Sequence, residues 1–569
     1  MKHYNLVIAA MLSLTSFAAA QPHRPNIILI VADDLDNRSV AYMPNLKTLI
    51  AEQGVTFSNY FNNVPLCGPS RASILRGQFA HNTQIQTNQL PDGGFEKFRD
   101  LGHENSTVAT WLQAAGYRTA LFGKYLNGYP ANQQQTYVPK GWDEWYGTME
   151  GHFFNYDINE NGKIVSYGNR PEDYETDVLA RHATDFIKRN KAVPFFIYLA
   201  PFAPHSPHTP APRHQNAFPG ITAPRLPSFN ESNVGDKPQW VRRLPLLTGN
   251  DVATIDLNYR ERLQSLLAAD DMIKSLIDTL AAIQELDDTY IFFTSDNGFH
   301  LGEHRIANGK NTAYDEAAHL PLIVRGPGVP KGKTVEHFVQ DLDYAPTFAE
   351  FAGVRAPSFV DGRSFAPLLK DNPPPINTWR PGALIEHWGK ETNDRTPTLQ
   401  ALRTADYLYV EYQTGERELY DVRNDPYQLR SLHASADPTL ISQLAQQLDV
   451  LRKCAGGGCL TTAVEEKKQS ELPPNFELRQ NYPNPFSPLG RGTFSNPATT
   501  IHFSLPVSEH VTLKIFDLNG QEIKTLVQQN LPAGEHRVTF DAGGMASGVY
   551  FYRITTPTFS QTRKAILMQ

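Results

Sequence analysis

Runs of consecutive apolar residues alternate with stretches that space apolar residues three and four positions apart. Residues 25–32, Pro-Asn-Ile-Ile-Leu-Ile-Val-Ala, form an unbroken apolar run rich in β-branched side chains, which predicts a strand buried on both faces of a parallel sheet. Runs at 118–122, 195–200 and 289–294 predict three more strands, and a short one is expected at 55–59. Residues 43–54 read as an amphipathic helix closed by Gly54, 177–189 as another, and a helix capped by Asn105 or Ser106 closes at Gly116. The longest helical pattern, 256–283, carries Leu263, Leu266, Ile273, Leu276 and Leu280 in one stripe that reads as core. Residues 155–163 predict a hairpin, and 211–250, rich in Pro, Asn and Arg, a surface excursion. Strands and helices in this alternation predict an α/β fold.

The pattern changes towards the C-terminus. Short strands at 401–403, 407–411 and 418–420 and a helix at 438–452 predict a small subdomain. After a polar linker at 461–474, strands at 499–505, 511–517, 536–540 and 548–554, with a turn at Asn519-Gly520, predict a small all-β sandwich. At the other end, a basic start, an apolar run at 6–17 and Ala18-Ala19-Ala20 have the three regions of a secretory signal peptide, so the mature chain is expected to begin near Gln21. No later segment reaches the roughly 18 apolar residues of a membrane span.

Composition narrows the function. The chain has 569 residues and a net charge of −7 with no basic block, which gives no electrostatic support to nucleic-acid binding. An exported address lets the three cysteines be read for disulfides. Cys454 and Cys459 flank Ala-Gly-Gly-Gly and could close a small loop, which leaves Cys67 over.

Cys67 carries the most chemistry. In Cys67-Gly68-Pro69-Ser70-Arg71 the proline suits a first helical turn, so the thiol sits at a helix N-terminus, where free N–H groups favour an anion. A buried structural cysteine is the other reading. Two predicted strands end in Asp33-Asp34 and in Ser295-Asp296-Asn297-Gly298. Loops beyond the carboxyl ends of strands carry the sites of open α/β sheets, so these oxygen donors are candidates for a hard cation, calcium before magnesium. A helix cap and a type I turn are the alternatives. Lys124 follows another strand, and His205 and His208 lie in the loop Pro201 to Pro210; such side chains could also be solvated or bonded to backbone.

In their order these motifs resemble the type I sulfatases, whose Cys-x-Pro-Ser-Arg signature is matched by Cys67 to Arg71. Arg24 to Asp34 resembles the family's opening. Phe122-Gly123-Lys124-Tyr125-Leu126-Asn127 and Ala203-Pro204-His205-Ser206-Pro207-His208 are similar to its glucosamine-6-sulfatase and extracellular heparan sulfatase branch, and Lys310 falls where the family has a second sulfate-binding lysine. The resemblance spans about residues 25–452. It implies an alkaline-phosphatase-like sulfatase fold: a large mixed sheet flanked by helices, with a small antiparallel C-terminal subdomain.

The same resemblance implies that a maturation enzyme oxidises Cys67 to formylglycine. One hydroxyl of the hydrated aldehyde attacks the sulfur of a sulfate ester, and the other, once deprotonated, expels sulfate. Asp33, Asp34, Asp296 and Asn297, with the converted Cys67, would hold calcium or magnesium. Arg71 would steady the diol, Lys124 and Lys310 bind the sulfuryl group, His205 protonate the leaving oxygen, and His208 line the substrate pocket. Many arylsulfatases carry a histidine two residues after the first lysine; Leu126 stands there, followed by Asn127, and neither can act as the base that releases sulfate. The implied substrate is a sulfated carbohydrate or an aryl sulfate. The rivals are a phosphonate or phosphate ester hydrolase of the same superfamily and a secreted glycan-binding protein with an unconverted Cys67.

Asn481 to Phe486, Ile515 to Gly520 and Ser547 to Arg553 resemble the C-terminal sorting domain of type IX secretion. That implies a partner in the secretion machinery and a secreted or cell-surface address reached through the periplasm. A carbohydrate-binding sandwich with Tyr550 and Tyr552 exposed is the alternative. The expected division is a signal peptide at 1–20, a catalytic domain at 25–375, its C-terminal subdomain at 376–460, the linker at 461–474 and the sandwich at 475–569.

Overall fold

The structure is a computed structural model that describes residues 24–131, 134–149, 151–390, 395–460, 475–481, 484–486, 498–531 and 533–568. The expected signal peptide and linker lie outside the described residues. Two compact units part between Leu460 and Thr461.

The first unit is built on a ten-stranded mixed sheet. Its order is Lys333–Val335, Val55–Phe57, Leu322–Arg325, Thr289–Ser295, Asn26–Ala32, Phe195–Ala200, Arg118–Gly123, Glu144–Thr148, Tyr156–Glu160, Lys163–Tyr167. Asn26–Ala32 lies at the centre, parallel to both neighbours, with Ile30 level with Leu199 on one side and Phe293 on the other. All seven of its residues are buried. Ile27, Leu29 and Val31 face one core and Ile28, Ile30 and Ala32 the other, which is why the run is apolar from Ile27 to Ala32. Helices Cys67–Arg76, Val108–Ala114 and Tyr344–Phe351 fill the first layer, and Glu175–Asn190 and Gly249–Ala282 the second. The four central parallel strands therefore open their carboxyl ends along one edge.

Several boundaries differ from expectation. The helix expected at 43–54 is a wide-wound turn, Leu46–Ala51, preceded by a tight one, Ser39–Tyr42. Its start is held from outside, because the Asp270 carboxylate accepts the N–H groups of Asn45 and Leu46 at 2.9 and 2.8 Å. Thr107, not Asn105 or Ser106, caps the next helix through its bond from the Thr110 N–H. The long helix starts at Gly249 rather than 256, because Thr248 and Asp251 form a capping box. The C-terminal sheet has four strands, Gly382–His387, Leu399–Thr404, Tyr407–Tyr412 and Arg417–Asp421, of which the first was not expected; the helix Pro438–Leu451 packs on it. Cys454 and Cys459 form a disulfide, and Cys67 is free and buried.

The second unit has one sheet of Glu477–Leu478, Ala498–Leu505 and Gly534–Asp541 and another of Glu522–Leu531, Glu509–Phe516, Gly548–Thr555 and Ser560–Leu567. Tyr552 is fully buried and its hydroxyl donates to the Arg479 carbonyl at 2.8 Å, while the half-buried Tyr550 donates to the Ala546 carbonyl. These two tyrosines therefore do not form an exposed platform.

Candidate active site

Each of the four central strands delivers a polar group at its carboxyl end: Asp33 and Asp34, Lys124, His205, and Asp296 with Asn297. Backbone bonds tie these loops together. The Asp33 N–H donates to the Ala203 carbonyl and the Asp296 N–H to the Ala32 carbonyl, both at 3.2 Å. Asp34 adopts a left-handed backbone, with φ of 64°, that costs a non-glycine residue energy. It is held there by its N–H donating to Asp296 Oδ1 at 3.1 Å and by the Leu35 N–H donating to Ser295 Oγ at 2.9 Å. The helix Cys67–Arg76 points its N-terminus at this group, with the Gly68 N–H bonded to Asn88 Oδ1 at 2.8 Å.

The side chains converge. Ligand atoms of Asp33, Asp34, Cys67 and His205 all lie within 4.8 Å of one another. Cys67 Sγ is 3.6 Å from Asp33 Oδ1 and 3.7 Å from Asp34 Oδ1. Lys124 Nζ is 2.6 Å from Asp33 Oδ2. Lys310 Nζ donates to Asp34 Oδ1 and lies 2.7 Å from Cys67 Sγ. His205 faces Asp34 with Nε2 at 3.6 Å, its Nδ1 being engaged with the Ser206 carbonyl at 2.8 Å. Asp296 turns its Oδ2 to Arg71 Nε at 2.8 Å, and Arg71 Nη1 donates to the Lys124 carbonyl at 2.8 Å. His208 is one step removed: it is buried, and its Nδ1 sits 2.8 Å from the Pro204 carbonyl. Leu126 and Asn127 line a cavity beside Lys124, and Asn127 Oδ1 is buried without a hydrogen-bond partner.

Three carboxylates, Asp33, Asp34 and Asp296, are matched by three cations, Arg71, Lys124 and Lys310. Burial alone would push Asp33 up, but Lys124, His205 and Arg71 outweigh it and bring it down to about 2. Asp34 is likewise held well below the usual carboxylate range against its burial, chiefly by Lys310. Burial and the neighbouring Asp33 push Asp296 up, and burial pushes the Cys67 thiol up. Burial disfavours the two ammonium groups, yet Asp33 raises Lys124 and Asp34 raises Lys310. The donor set fits a hard divalent cation: carboxylate oxygens crowd together, and Asn297 Oδ1 is a buried acceptor with no donor, while its Nδ2 donates to Asp34 Oδ1 at 2.7 Å.

Two buried groups escaped the sequence reading. Arg262, on the long helix, donates through Nη2 to the Asp34 carbonyl and through Nη1 to the Pro204 carbonyl at 3.4 Å; it lies 3.7 Å from Asp36 and stacks over Phe299 at 4.4 Å. One guanidinium thus touches three of the loops that build the site. Its signal was a cationic residue at helical spacing from Tyr259 and Leu266, inside the apolar stripe. Glu175 accepts from the Phe202 N–H at 3.2 Å, and burial pushes its carboxyl up to about 8. It carries no motif that would have marked it.

Strand-end acids around a helix-borne cysteine, with two lysines on the acids, define a sulfatase-type hydrolase site. Residues 25–354, more than half of the chain, match the sulfatase family, 302–454 the C-terminal region of N-sulphoglucosamine sulphohydrolase, and 481–568 the secretion system C-terminal sorting domain. The chain belongs to the sulfatase family, enzymes that hydrolyse sulfate esters, and carries a sorting domain of the kind that directs export through type IX secretion.

Among individual relatives, it is 35% identical to the N-acetylglucosamine-6-sulfatase of Capra hircus over 79% of this chain and 87% of that protein. It is 30% identical to the N-acetylglucosamine-6-O-sulfatase of Bacteroides thetaiotaomicron over 76% and 87%. A solved structure described as bound to its substrate D-glucosamine-2-N,6-O-disulfate superposes with a TM-score of 0.66 at 27% identity, over 76% of this chain and 98% of that one.

Proposed function

We propose that this enzyme removes a 6-sulfate from a glucosamine-type sugar of a sulfated glycan, using formylglycine made from Cys67 and calcium held by Asp33, Asp34, Asp296 and Asn297. The convergence of Asp33, Asp34, Cys67 and His205 within 4.8 Å carries the reading, and the names of the relatives support the sugar. Formylglycine, hydrated, supplies a nucleophilic hydroxyl and a second one through which sulfate leaves. A bound calcium ion supplies Lewis-acid polarisation of the sulfate and favours the deprotonated nucleophile.

The chain's own residues do the rest. Asp33 and Asp34 keep Lys124 and Lys310 charged in a buried place, so both ammonium groups are available to the sulfuryl oxygens. The Ser206 carbonyl holds the Nδ1–H of His205, which leaves Nε2 to deliver a proton to the departing sugar oxygen. Arg71 locks residue 67 in register by bonding at once to Asp296 and to the Lys124 carbonyl. His208, brought down to about 4 by burial and by Arg262, stays neutral and shapes the His205 loop.

On this reading the chain divides into catalytic residues 25–375, a subdomain at 376–460, a linker at 461–474 and a sorting sandwich at 475–569. A signal peptide at 1–20 starts export to the periplasm, and the sorting domain completes it to the surface or medium.

The test pairs two measurements on native secreted protein. The tryptic peptide containing Cys67 should be lighter than the thiol form by about 18 Da, the difference between CH₂SH and CHO. The protein should release sulfate from N-acetylglucosamine 6-sulfate and prefer an aryl sulfate to the matching phosphate. An intact thiol with retained glycan affinity would favour the binding-protein reading. Preference for phosphate with a transition metal would favour the ester-hydrolase rival.

A further inference from the structure

Lys310 stands in a loop that closes on itself between His300 and Thr312. The residues on either side of it have left-handed backbones, Gly309 with φ of 124° and Asn311 with φ of 72°. Such a backbone costs a non-glycine residue energy and persists only where its surroundings hold it. Three contacts do so here. The His300 N–H donates to the Gly309 carbonyl at 2.7 Å, the Asn311 N–H donates to the Pro65 carbonyl at 3.1 Å, and the His300 ring Nε2 lies 2.8 Å from Thr312 Oγ1. The chain is thus pinned just before Lys310, just after it and one residue further on.

Two of the three contacts come from His300, a residue with no part in the mechanism above. It is fully buried, and its Nδ1 has no hydrogen-bond partner among the described residues. A buried polar atom left unpaired costs stability, and a leucine would fill much of the same space without that cost. Burial, with Arg38 adding to it, brings the imidazole down to about 3, so the ring is neutral at any pH suited to assay. A neutral ring carries no charge to compete with Lys310 for Asp34. It supplies a fixed polar point against which the far side of the loop is set.

We propose that His300 is a positioning residue for Lys310: acting on Gly309 through its N–H and on Thr312 through its ring, it sets the ammonium group between Asp34 and residue 67. This rests on the function proposed above, in which that ammonium group binds the sulfuryl oxygens. Lys310 Nζ donates to Asp34 Oδ1 and lies 2.7 Å from Cys67 Sγ, so a shift of the loop moves it relative to the nucleophile. The bond to Pro65 cannot replace His300, because it holds one side of Lys310 alone. It does tie the loop to the segment that leads into Cys67, so the lysine and the nucleophile keep a common register.

The experiment is a double-mutant cycle on the full chain, with each variant confirmed by mass to carry formylglycine. It reads kcat/KM on N-acetylglucosamine 6-sulfate, inhibition by inorganic sulfate and the urea midpoint. His300→Leu should lower kcat/KM by about ten- to a hundredfold, the scale of a misplaced group at a reacting centre, and should weaken sulfate inhibition severalfold. Thr312→Val, which exchanges the hydroxyl for a methyl, should do the same more mildly, since the His300 N–H remains. His300→Gln and Thr312→Ser, which keep a polar atom at the contact, should recover most of the loss. In a Lys310→Ala background, His300→Leu should change kcat/KM by no more than about twofold while still lowering the urea midpoint. A residue that only packs the loop would cost the same factor with Lys310 as without it, and that outcome overturns the proposal. So do parent-like kcat/KM and sulfate inhibition in both His300→Leu and Thr312→Val. Should His300→Leu not fold, the cycle of Thr312→Val with Lys310→Ala decides by the same criterion. In either case the sulfatase reading stands, whereas failure of the parent itself to hydrolyse the sugar sulfate would overturn the proposed substrate, and a Lys310→Ala variant matching the parent would overturn the role of that lysine and this inference with it.

Discussion

Arg262→Met removes a side chain that joins three loops of the site while keeping a buried side chain of similar length. The Asp34 carbonyl loses a buried donor, a cost of about 1–3 kcal/mol. The Pro204 carbonyl keeps its bond to His208 and loses little. Asp36 loses its buried cation, a change worth about 3–5 kcal/mol when nothing else compensates. Here the loss sits below that range, because the Ser39 N–H and Oγ still donate to Asp36 at 3.0 and 2.6 Å. The contact with Phe299 adds about 1 kcal/mol, and sparing the guanidinium its desolvation returns part of the whole. The expected net loss is about 3 kcal/mol, read as a fall in the urea midpoint at unchanged slope.

The left-handed Asp34 turn is then released, so kcat should fall about a hundredfold, the cost of a small misplacement at a reacting centre, with a smaller change in KM. Arg262→Lys keeps the charge but cannot span both carbonyls, and should fall between the two. A methionine variant within 1 kcal/mol of the parent and within twofold in kcat would refute the reasoning. A loss of stability with kcat intact would reduce Arg262 to a packing role.

Cys67→Ala should abolish sulfate release and leave unfolding within about 1 kcal/mol of the parent, because the side chain removed is small. Lys310→Ala should lower kcat/KM by about 10²–10³-fold and also weaken affinity for sulfate as a product, measured by inhibition. Chelation should abolish activity and lower the thermal midpoint, with calcium restoring both better than zinc. Glu175 gives a pH signature. Its folded value, about 8, lies above the ordinary 4.5, so its contribution to stability is present below pH 4.5 and is lost as pH rises towards 8, by up to about 1.4 kcal/mol per unit. Glu175→Gln, which still accepts from the Phe202 N–H, should flatten that decline in urea unfolding between pH 5 and 8, and an unchanged slope would disprove it.

The elements easiest to read in the sequence were those whose environment is uniform along their length. Asn26–Ala32, Phe195–Ala200 and Thr289–Ser295 are buried on both faces, so nearly every position between their ends had to be apolar, aromatic or β-branched, and the chain shows it directly. Glu522–Leu531 was missed because it is an edge strand whose residues are mostly exposed, which leaves no alternation to detect. Gly382–His387 is fully buried but short, and its glycine and neighbouring prolines read as loop. The start of Leu46–Ala51 depends on Asp270, far along the chain, so no local pattern could locate it.

For the site, the sequence by itself determined which chemical groups exist and that several follow a strand: the paired aspartates, Lys124, the histidine loop and Asp296 with Asn297, beside the cysteine that opens a helix and the second lysine marked by resemblance. Chemistry fixes residue type at such positions, and a strand followed by an acid is a local feature. Only the tertiary structure decided that those groups share one buried space, that Asp296 turns to Arg71 while Lys310 reaches Asp34 and Cys67, and that Arg262 fastens three loops from a helix that reads as core. Those relations join residues up to 276 positions apart, and a contact of that range is set by how the strands order in the sheet, which no local pattern records.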